Sequence, residues 1–562
     1  MIVKKARNLI FLLLGSVVSM PMAIAQPIIT TPNSSPKLPE SLAEPKPPIP
    51  LQLPESIPSN LTPSIDSPDS PISVRVRQII VLGSTIFSEP ELQQAVAEYL
   101  NRDLTIQDLL SIRSAITDLY TKSGYLTSGA FLPAQAQDFN NGIICIQIIE
   151  GELERIDIKG LSRLQENYVR SRLDQAGKRP VNILNLEKGL QLLQSDPLFS
   201  SVKAELKSGT AIGRSILQVE LKESSSLLAS VTVDSRQSPN VGAVGVYATI
   251  GDRNLTGLGD NLRLDIGATE GTRRYGIQYD LPLNPQDEIQ LRYGYNTSRI
   301  VEEPFSAIGI NSISQSVLLG YQYFLLREPT SEFSLGIAFE STESRDFILE
   351  NIPFSFSLGT ENGRSVVNVL KFSQEWIERS TNQVLAARSQ FNLGLGILGA
   401  TVNDRGVDGR FLSWQGQFQW VQSLGRDSIS IVRLGTQLTA NALLPTEQFG
   451  IGGIDTVRGY RKNLYIGDSG VVGSVELRLP ILRDQAIGIV QIAPFIDVGA
   501  LWSNNPNNFS GTLASVGLGL RWELHSNFRA SLEWAAQLIP VNMMTNPTNS
   551  QGILFSLQFT GF

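Results

Sequence analysis

The stretch LSWQGQFQW, Leu412 to Trp420, decides the fold class of the C-terminal part of this chain. Its residues alternate with a period of two, which is the spacing at which side chains share one face of a β-strand. One face carries Leu412, Trp414, Phe418 and Trp420. The other carries Ser413, Gln415, Gln417 and Gln419. In a soluble sandwich the apolar face would meet a core, whereas in a membrane barrel it would meet lipid and the polar face would line a wet lumen.

The connections between such segments separate the two alternatives. About 16 alternating segments follow one another between residues 227 and 562. Short connections follow the even-numbered segments, at 254–259, 283–286, 378–382, 425–427 and 525–527. Long connections follow the odd-numbered segments, at 300–311, 344–363, 399–409, 443–470 and 541–552. Short periplasmic turns and long external loops are typical of outer-membrane barrels, so residues 225–562 are predicted to form a transmembrane antiparallel β-barrel of about 16 strands.

The composition narrows the classes of function. The net charge is −7, which argues against a nucleic-acid partner, and no internal run of about 18 apolar residues predicts a transmembrane helix. Cys145 is the only cysteine and lies in an apolar run, so the sequence predicts a buried thiol, with no disulfide and no cysteine metal site. The sequence contains no phosphate-binding G-x-x-x-x-G-K-[ST] motif. We therefore expect no cofactor and no metal.

The N-terminal segments predict secretion. Residues 1–25 combine a basic start, an apolar core and the small-residue pattern Ala23-Ile24-Ala25, as in a cleaved signal peptide. Residues 26–73 are rich in proline, which removes backbone donors and favours an extended chain. This segment is predicted to be a periplasmic tether that leaves little room for a long helix.

Residues 74–223 are predicted to contain two copies of one small α+β unit. Each copy has the order strand, two helices, two strands; the first strand is predicted over 74–82, and the division between the copies falls near residue 151. In the first copy, Thr105 and Asp108 form a predicted capping box, and Gly124 is placed to end the same helix. Each sheet must bury one face under its helices and leaves an open edge, to which an extended guest chain can add.

The motifs of this chain resemble those of the two-partner secretion transporters of the Omp85 superfamily, the family of haemolysin secretion/activation and filamentous haemagglutinin transporters. The resemblance is carried by ITDLYTKSGYLTSGAFLP (116–133), GIICIQIIEGELERI (142–156), VRGY (457–460) and FIDVG (495–499). It implies POTRA 1 at 74–151, POTRA 2 at 152–224 and an outer-membrane barrel at 225–562. It also implies a non-enzymatic, monomeric pore that exports a large β-rich partner exoprotein of adhesin, haemolysin or haem-acquisition type.

The resemblance also implies a site. In this family the sixth external loop, here 443–470, folds back into the lumen, and its arginine meets the aspartate of the strand motif. The corresponding loop residues are Val457, Arg458, Gly459 and Tyr460. The corresponding wall residues are Asp497, Phe495 and Gly499. Parity agrees with this assignment, because Phe495, Asp497 and Gly499 share one strand face and an aspartate facing lipid would be costly.

The sequence leaves several alternative functions open. A barrel assembly factor of the same superfamily is the main alternative, although such proteins usually carry more POTRA units. A passive porin, or a barrel enzyme that uses His525, fits the sequence less well. The terminal Phe562 resembles the aromatic residue by which the barrel assembly machinery recognises its clients. The pair Glu302-Glu303 is expected to be a solvated charge run in an external loop. The G-x-G-x-x-G match at 394–399 is expected to have no nucleotide role.

Overall fold

The computed structural model describes residues 73–404, 406–504, 509–524, 527–541 and 552–561. The predicted signal peptide, the predicted tether up to residue 72, His525 and Phe562 lie outside the described residues. Within the described ranges, no helix has both the length and the apolar character needed to cross a membrane.

The first N-terminal unit packs two helices on one face of a three-stranded sheet. Its elements are β1 (Val74–Val76), β2 (Gln78–Leu82), α1 (Glu89–Val96), β3 (Arg102–Leu104), α2 (Ile106–Lys122), β4 (Gly129–Phe131) and β5 (Ile143–Ile149). The sheet order is β2-β5-β4, and β1 pairs separately with β3. A single strand over 74–82 is therefore wrong, because the Arg77 N–H donates to the Gly142 carbonyl oxygen at 2.8 Å and divides the segment. The predicted Thr105–Asp108 capping box is present at the start of α2.

The second unit repeats this arrangement and is joined tightly to the first. It consists of β6 (Glu152–Lys159), α3 (Glu166–Ala176), α4 (Ile183–Ser195), β7 (Phe199–Ser208) and β8 (Arg214–Glu223), in the sheet order β6-β8-β7. At the joint, the Ile183 N–H donates to the Gly124 carbonyl at 2.9 Å, and Asn182 Nδ2 donates to the Ser123 carbonyl at 2.9 Å. Gly124 has a φ of +90°, and a Cβ there would lie 2.8 Å from Asn182 Oδ1. Glycine is therefore required at this position both by its backbone conformation and by the close approach of Asn182.

The C-terminal region closes into a barrel of sixteen antiparallel strands. The first eight are β9 (Leu227–Asp234), β10 (Gly245–Asp252), β11 (Asn261–Ala268), β12 (Thr272–Pro282), β13 (Asp287–Arg299), β14 (Asn311–Arg327), β15 (Ser331–Ile348) and, after the short β16 (Ile352–Pro353), β17 (Arg364–Arg379). The last eight are β18 (Gln383–Leu395), β19 (Leu412–Gly425), β20 (Ser428–Thr439), β23 (Ser469–Asp484), β24 (Gly488–Trp502), β25 (Ser510–Leu524), β26 (Phe528–Gln537) and β27 (Ile553–Gly561). Between β20 and β23 lie two short strands, β21 (Phe449–Ile451) and β22 (Tyr465–Gly467). β27 pairs with β9, so the barrel has no free edge.

The two faces of the barrel wall follow the predicted alternation. On β19, Leu412 is 55% exposed on the outside, whereas Ser413 and Gln415 on the inner face are 3% and 9% exposed. These inner side chains form an amide ladder, in which Gln415 Nε2 donates to Gln437 Oε1 at 2.7 Å. The fold class predicted from the sequence is thus confirmed, with α+β units followed by a sixteen-stranded barrel.

The second α+β unit contacts the short turn between β10 and β11. Arg163 donates to Asp252 at 3.0 Å, and next to it the Glu223 carboxylate accepts the backbone N–H groups of Ser162 and Leu164 at 2.7 and 3.1 Å. Burial raises the pKa of Glu223, but these backbone hydrogen bonds outweigh it and lower the pKa below its ordinary value. The charged form of Glu223 therefore stabilises the segment that places this unit under the barrel.

Candidate gate in the barrel lumen

The connection between β20 and β23, residues 440–468, folds into the barrel and is named loop six here. Its two short strands pair as a hairpin, with Gly450 opposite Ile466. At the tip, Gly452 and Gly453 have φ values of +108° and +93°, which reverse the chain in a conformation that other residues rarely adopt. Val457 is fully buried, so the tip is packed inside the protein instead of extending into solvent.

Arg458 binds the barrel wall at the position implied by the family motifs. Its Nε donates to Asp497 Oδ2 at 2.8 Å and its Nη2 to Oδ1 at 2.9 Å, a two-pronged geometry that matches guanidinium to carboxylate. The guanidinium carbon lies 3.4 Å from the centre of the Phe495 ring, so the strand motif supplies both the anion and an aromatic face. The Arg458 side chain is 5% exposed and that of Asp497 is 1% exposed.

The structure adds a second carboxylate that sequence reasoning missed. Glu476 on β23 is fully buried and accepts from Arg458 Nη1 at 2.7 Å. Its other oxygen binds Arg478 at 2.7 Å and Arg521 at 3.0 Å. Glu533 on β26 lies 3.1 Å from Arg521. We call this group of six side chains the Arg458 network: Arg458, Glu476, Arg478, Asp497, Arg521 and Glu533. Strand alternation places Glu476 on the lumen face, but only the folded loop shows that Arg458 reaches it.

The remaining motif residues pack loop six against β24, β25 and β26. The Tyr460 hydroxyl lies 2.7 Å from the Ala514 carbonyl oxygen and 2.8 Å from that of Ile539. A Cβ on Gly459 would lie 3.0 Å from the Ala535 Cβ, so glycine permits close contact there. A Cβ on Gly499 would lie 2.9 Å from Val457 Cγ2, which explains a small residue at the end of the strand motif. The structure thus brings together all the site residues named from the sequence.

Loop six also contacts external loops on the opposite side of the barrel. Arg461 donates two hydrogen bonds to Glu302, both at 2.9 Å, and Lys462 Nζ lies 3.2 Å from Gln237 Oε1. Glu302 follows β13, the fifth barrel strand, whereas Asp497 is on β24, the thirteenth; seven strands lie between these two in either direction around the barrel. The tip therefore links the wall at β24 to the loops of the opposite side of the barrel. The expectation of a solvated Glu302 is wrong, because its partner Arg461 lies 159 residues away in sequence, on a loop that crosses the barrel.

The other sequence features that could belong to a site lie elsewhere in the fold. The G-x-G-x-x-G match runs from Gly394 on β18 into the following loop and opens no helix. Within the described ranges, no cluster of His, Cys, Asp and Glu has a metal-binding arrangement. Cys145 is buried, as expected.

Comparison with known proteins gives the family. The family model described as haemolysin secretion/activation protein ShlB/FhaC/HecB matches residues 213–522. A second model, the ShlB-type POTRA domain, matches residues 74–151. These matches cover the barrel up to β25 and the first α+β unit.

Individual relatives agree with these matches. The chain is 23% identical over 481 residues to the outer membrane transporter CdiB of Dickeya dadantii (strain 3937), covering 80% of each protein. It is 20% identical over 471 residues to the heme/hemopexin transporter protein HuxB of Haemophilus influenzae (strain 86-028NP), again covering 80% of each.

Solved structures show the same fold. CdiB from Escherichia coli superposes with a TM-score of 0.69 at 20% identity, covering 90% of this chain and 94% of that one. BamA from Haemophilus ducreyi lacking POTRA domains 1–3 superposes with a TM-score of 0.51 at 14% identity, covering 87% of this chain and all of that one. The chain belongs to the haemolysin secretion/activation family, the two-partner secretion transporters of the Omp85 superfamily, whose barrel lies in the outer membrane and whose POTRA domains lie in the periplasm.

Proposed function

We propose that this protein exports one large, β-rich partner exoprotein through the barrel, and that loop six is the gate of the pore. The observation that carries this proposal is the position of loop six, which lies in the lumen and binds Asp497 on the barrel wall and Glu302 on an external loop of the opposite side, each through an arginine. Passage of a polypeptide requires this loop to move.

The partner is expected to bind first to the α+β units. In the second unit, β7 is ten residues long, lies at the end of its sheet and, among the residues that the structure describes, pairs only with β8. An unfolded partner can add a strand to such an edge, because main-chain hydrogen bonds supply affinity without requiring one particular sequence. Lys203 and Lys207 are exposed on this strand, a placement that opposes indiscriminate pairing.

Opening of the pore then requires the side chains of the Arg458 network to exchange their hydrogen bonds across the loop–wall contact for hydrogen bonds to water. The carboxylates of Asp497 and Glu476 are buried only while loop six is docked against them. Withdrawal of the loop exposes both groups to the wet lumen, so water replaces the lost hydrogen bonds and the net cost is smaller than the strength of the contacts suggests. The contacts with the wall therefore hold loop six firmly in the docked state, and hydration of the freed carboxylates still allows its release. Folding of the partner outside the cell supplies a direction of travel without nucleotide hydrolysis.

The barrel has two further proposed partners, the lipid around its outer surface and the machinery that inserts it into the membrane. The outward residues of the strands, such as Leu319 and Trp534, are 57% and 52% exposed, and we propose that they contact outer-membrane lipid. We propose a monomeric pore that the barrel assembly machinery inserts. The cargo is of adhesin, haemolysin or haem-acquisition type, consistent with a relative that is named a heme/hemopexin transporter.

Depletion of the protein tests the proposed export. Quantitative proteomics of the cell surface and the medium should show the loss of one large β-rich protein, with the outer-membrane barrels unchanged. A general loss of outer-membrane barrels would instead support the alternative, a barrel assembly factor.

A further inference from the structure

We propose that the outer face of β15 and β17, together with the turn at Ile397 and Leu398 that follows β18, binds a phosphate-bearing lipid of the outer leaflet. This inference rests on the outer-membrane position of the barrel and is independent of export. Two arginines lie at the outer rim of this wall. Arg345 and Arg364 lie directly opposite each other on paired strands, so both side chains lie on the same face.

Strand parity identifies that face as the outside. Moving down β15 and β17 from the arginines, the same face presents Phe339 opposite Leu370 and Ile337 opposite Phe372. Ile337 and Phe372 are 49% and 44% exposed, as outward apolar residues of the barrel are. The lumen face of the same strands carries the ion pair of Lys371 with Glu340 instead.

Geometry places the arginines at the level of lipid headgroups. The lowest outward aromatic residues of this wall are Trp376 and the opposite Phe333. An apolar band about 25 Å tall on strands tilted about 40° uses roughly ten residues of each strand. Counting ten residues up from Phe333 ends at Glu343, so Arg345 and Arg364 lie just above the band.

The charges of this cluster are unbalanced. Glu343 Oε1 accepts from Arg345 Nε at 2.8 Å and from Arg364 Nε at 2.7 Å, so one carboxylate serves two guanidinium groups. The arginine side chains are 55% and 52% exposed. Like charges directly opposite on a sheet repel each other, and one carboxylate neutralises only half of the charge. Because both contacts use Nε, the terminal nitrogens can bind a phosphate in the two-pronged manner that arginine favours.

An exposed apolar turn, formed by Ile397 and Leu398, lies beside the arginine cluster. Asn368, two residues below the Glu343 level on the outward face of β17, is fully buried and donates to the Ile397 carbonyl at 2.6 Å. It thereby holds Ile397 and Leu398, which are 52% and 74% exposed, against the outside of the wall. Leu398 has a φ of +53°, an unusual conformation for leucine, in the turn that follows β18. Exposed apolar side chains next to the apolar band and below a cationic pair match the acyl chains and the phosphate of one lipid.

Native mass spectrometry of the full-length mature protein in detergent tests the proposal. The probe is diphosphoryl lipid A, compared with its dephosphorylated form. We expect the wild type to retain one phosphorylated molecule at least tenfold more strongly, and Arg345→Gln/Arg364→Gln to lose that preference. The matched control is Arg483→Gln/Arg529→Gln, which removes the same charge from exposed pairs near the periplasmic ends of their strands and should keep the preference.

A second variant separates the acyl chains from the charge. Leu398→Ser leaves every arginine in place and should weaken binding of the acylated probe severalfold, with the preference for phosphate retained. An unchanged preference in the arginine variant would overturn the proposal. Equal retention of water-soluble glucosamine phosphate would also overturn it, because the site would then recognise phosphate without lipid. Heat-modifiable migration in electrophoresis checks that each barrel is folded.

Discussion

Replacing Arg458 with alanine should release loop six from the barrel wall. The substitution leaves the Asp497 carboxylate, which is 1% exposed, without its charged partner, although the Ser474 hydroxyl and the backbone N–H of residue 458 still donate to it. Glu476 is less affected, because Arg478 and Arg521 still bind it. Removing one partner of a buried ion pair costs about 3–5 kcal/mol. Because about 1.4 kcal/mol corresponds to a factor of ten, the undocked population should rise by about two to four orders of magnitude.

Limited proteolysis measures this population directly. Arg461 and Lys462 lie at the tip, so trypsin added to the purified barrel cleaves after them only when the tip leaves the lumen. When docking is fast relative to cleavage, the cleavage rate follows the undocked population. We therefore expect cleavage to accelerate at least a hundredfold in Arg458→Ala. The matched control is Arg529→Ala, whose pair with Glu523 is exposed and is worth about 0–1 kcal/mol. A rate within threefold of the wild type in Arg458→Ala would refute the reasoning.

Three further predictions concern other parts of the chain. Arg461→Glu and Glu302→Arg should each raise the channel conductance in planar bilayers, because each breaks the ion pair that holds the loop. The double variant Arg461→Glu/Glu302→Arg restores the pair and should restore the low conductance; a high conductance in the double variant would mean that this ion pair does not hold the loop. Gly124→Ala should accelerate amide hydrogen exchange at the joint between the α+β units, because the new Cβ meets Asn182 Oδ1 at 2.8 Å; unchanged exchange would contradict a rigid joint. The lowered pKa of Glu223 means that its contribution to stability is complete above its ordinary value of 4.5 and is lost as the pH falls through the lowered value. The protection factors of the amides at residues 162–164, which are corrected for the intrinsic pH dependence of exchange, should therefore fall on acidification in the wild type and not in Glu223→Gln; equal profiles in the two proteins would contradict this role.

The barrel was predictable from the sequence because its signal is local and repeated. Alternation such as that from Leu412 to Trp420 fixes which side chains lie inside, and the lengths of the connections fix the topology. The division of the first strand at Arg77 was not predictable, since it depends on a hydrogen bond to Gly142, which lies 65 residues further along the chain. A continuous stretch of strand-forming residues does not show which other strand each of its residues pairs with.

The candidate site was predictable only in part. Arg458 and Asp497 were named because two family motifs point to them. Glu476 has no motif, and alternation alone places it in the lumen without a partner. Glu302 was misjudged for a related reason, since a carboxylate in an external loop is solvated unless another loop covers it, and Arg461 reaches it only because loop six crosses the barrel.

A reversible cross-link between loop six and the wall tests the central claim most directly. Val457 Cγ2 lies 2.9 Å from the position of a Cβ on Gly499, so Val457→Cys/Gly499→Cys, made with Cys145→Ala, places two thiols within reach of a disulfide. Single-channel recordings in planar bilayers should show no large openings from the oxidised protein and wild-type openings after reduction. Large openings that persist in the fully oxidised protein would show that the lumen conducts with loop six in place, and would contradict a gate formed by this loop.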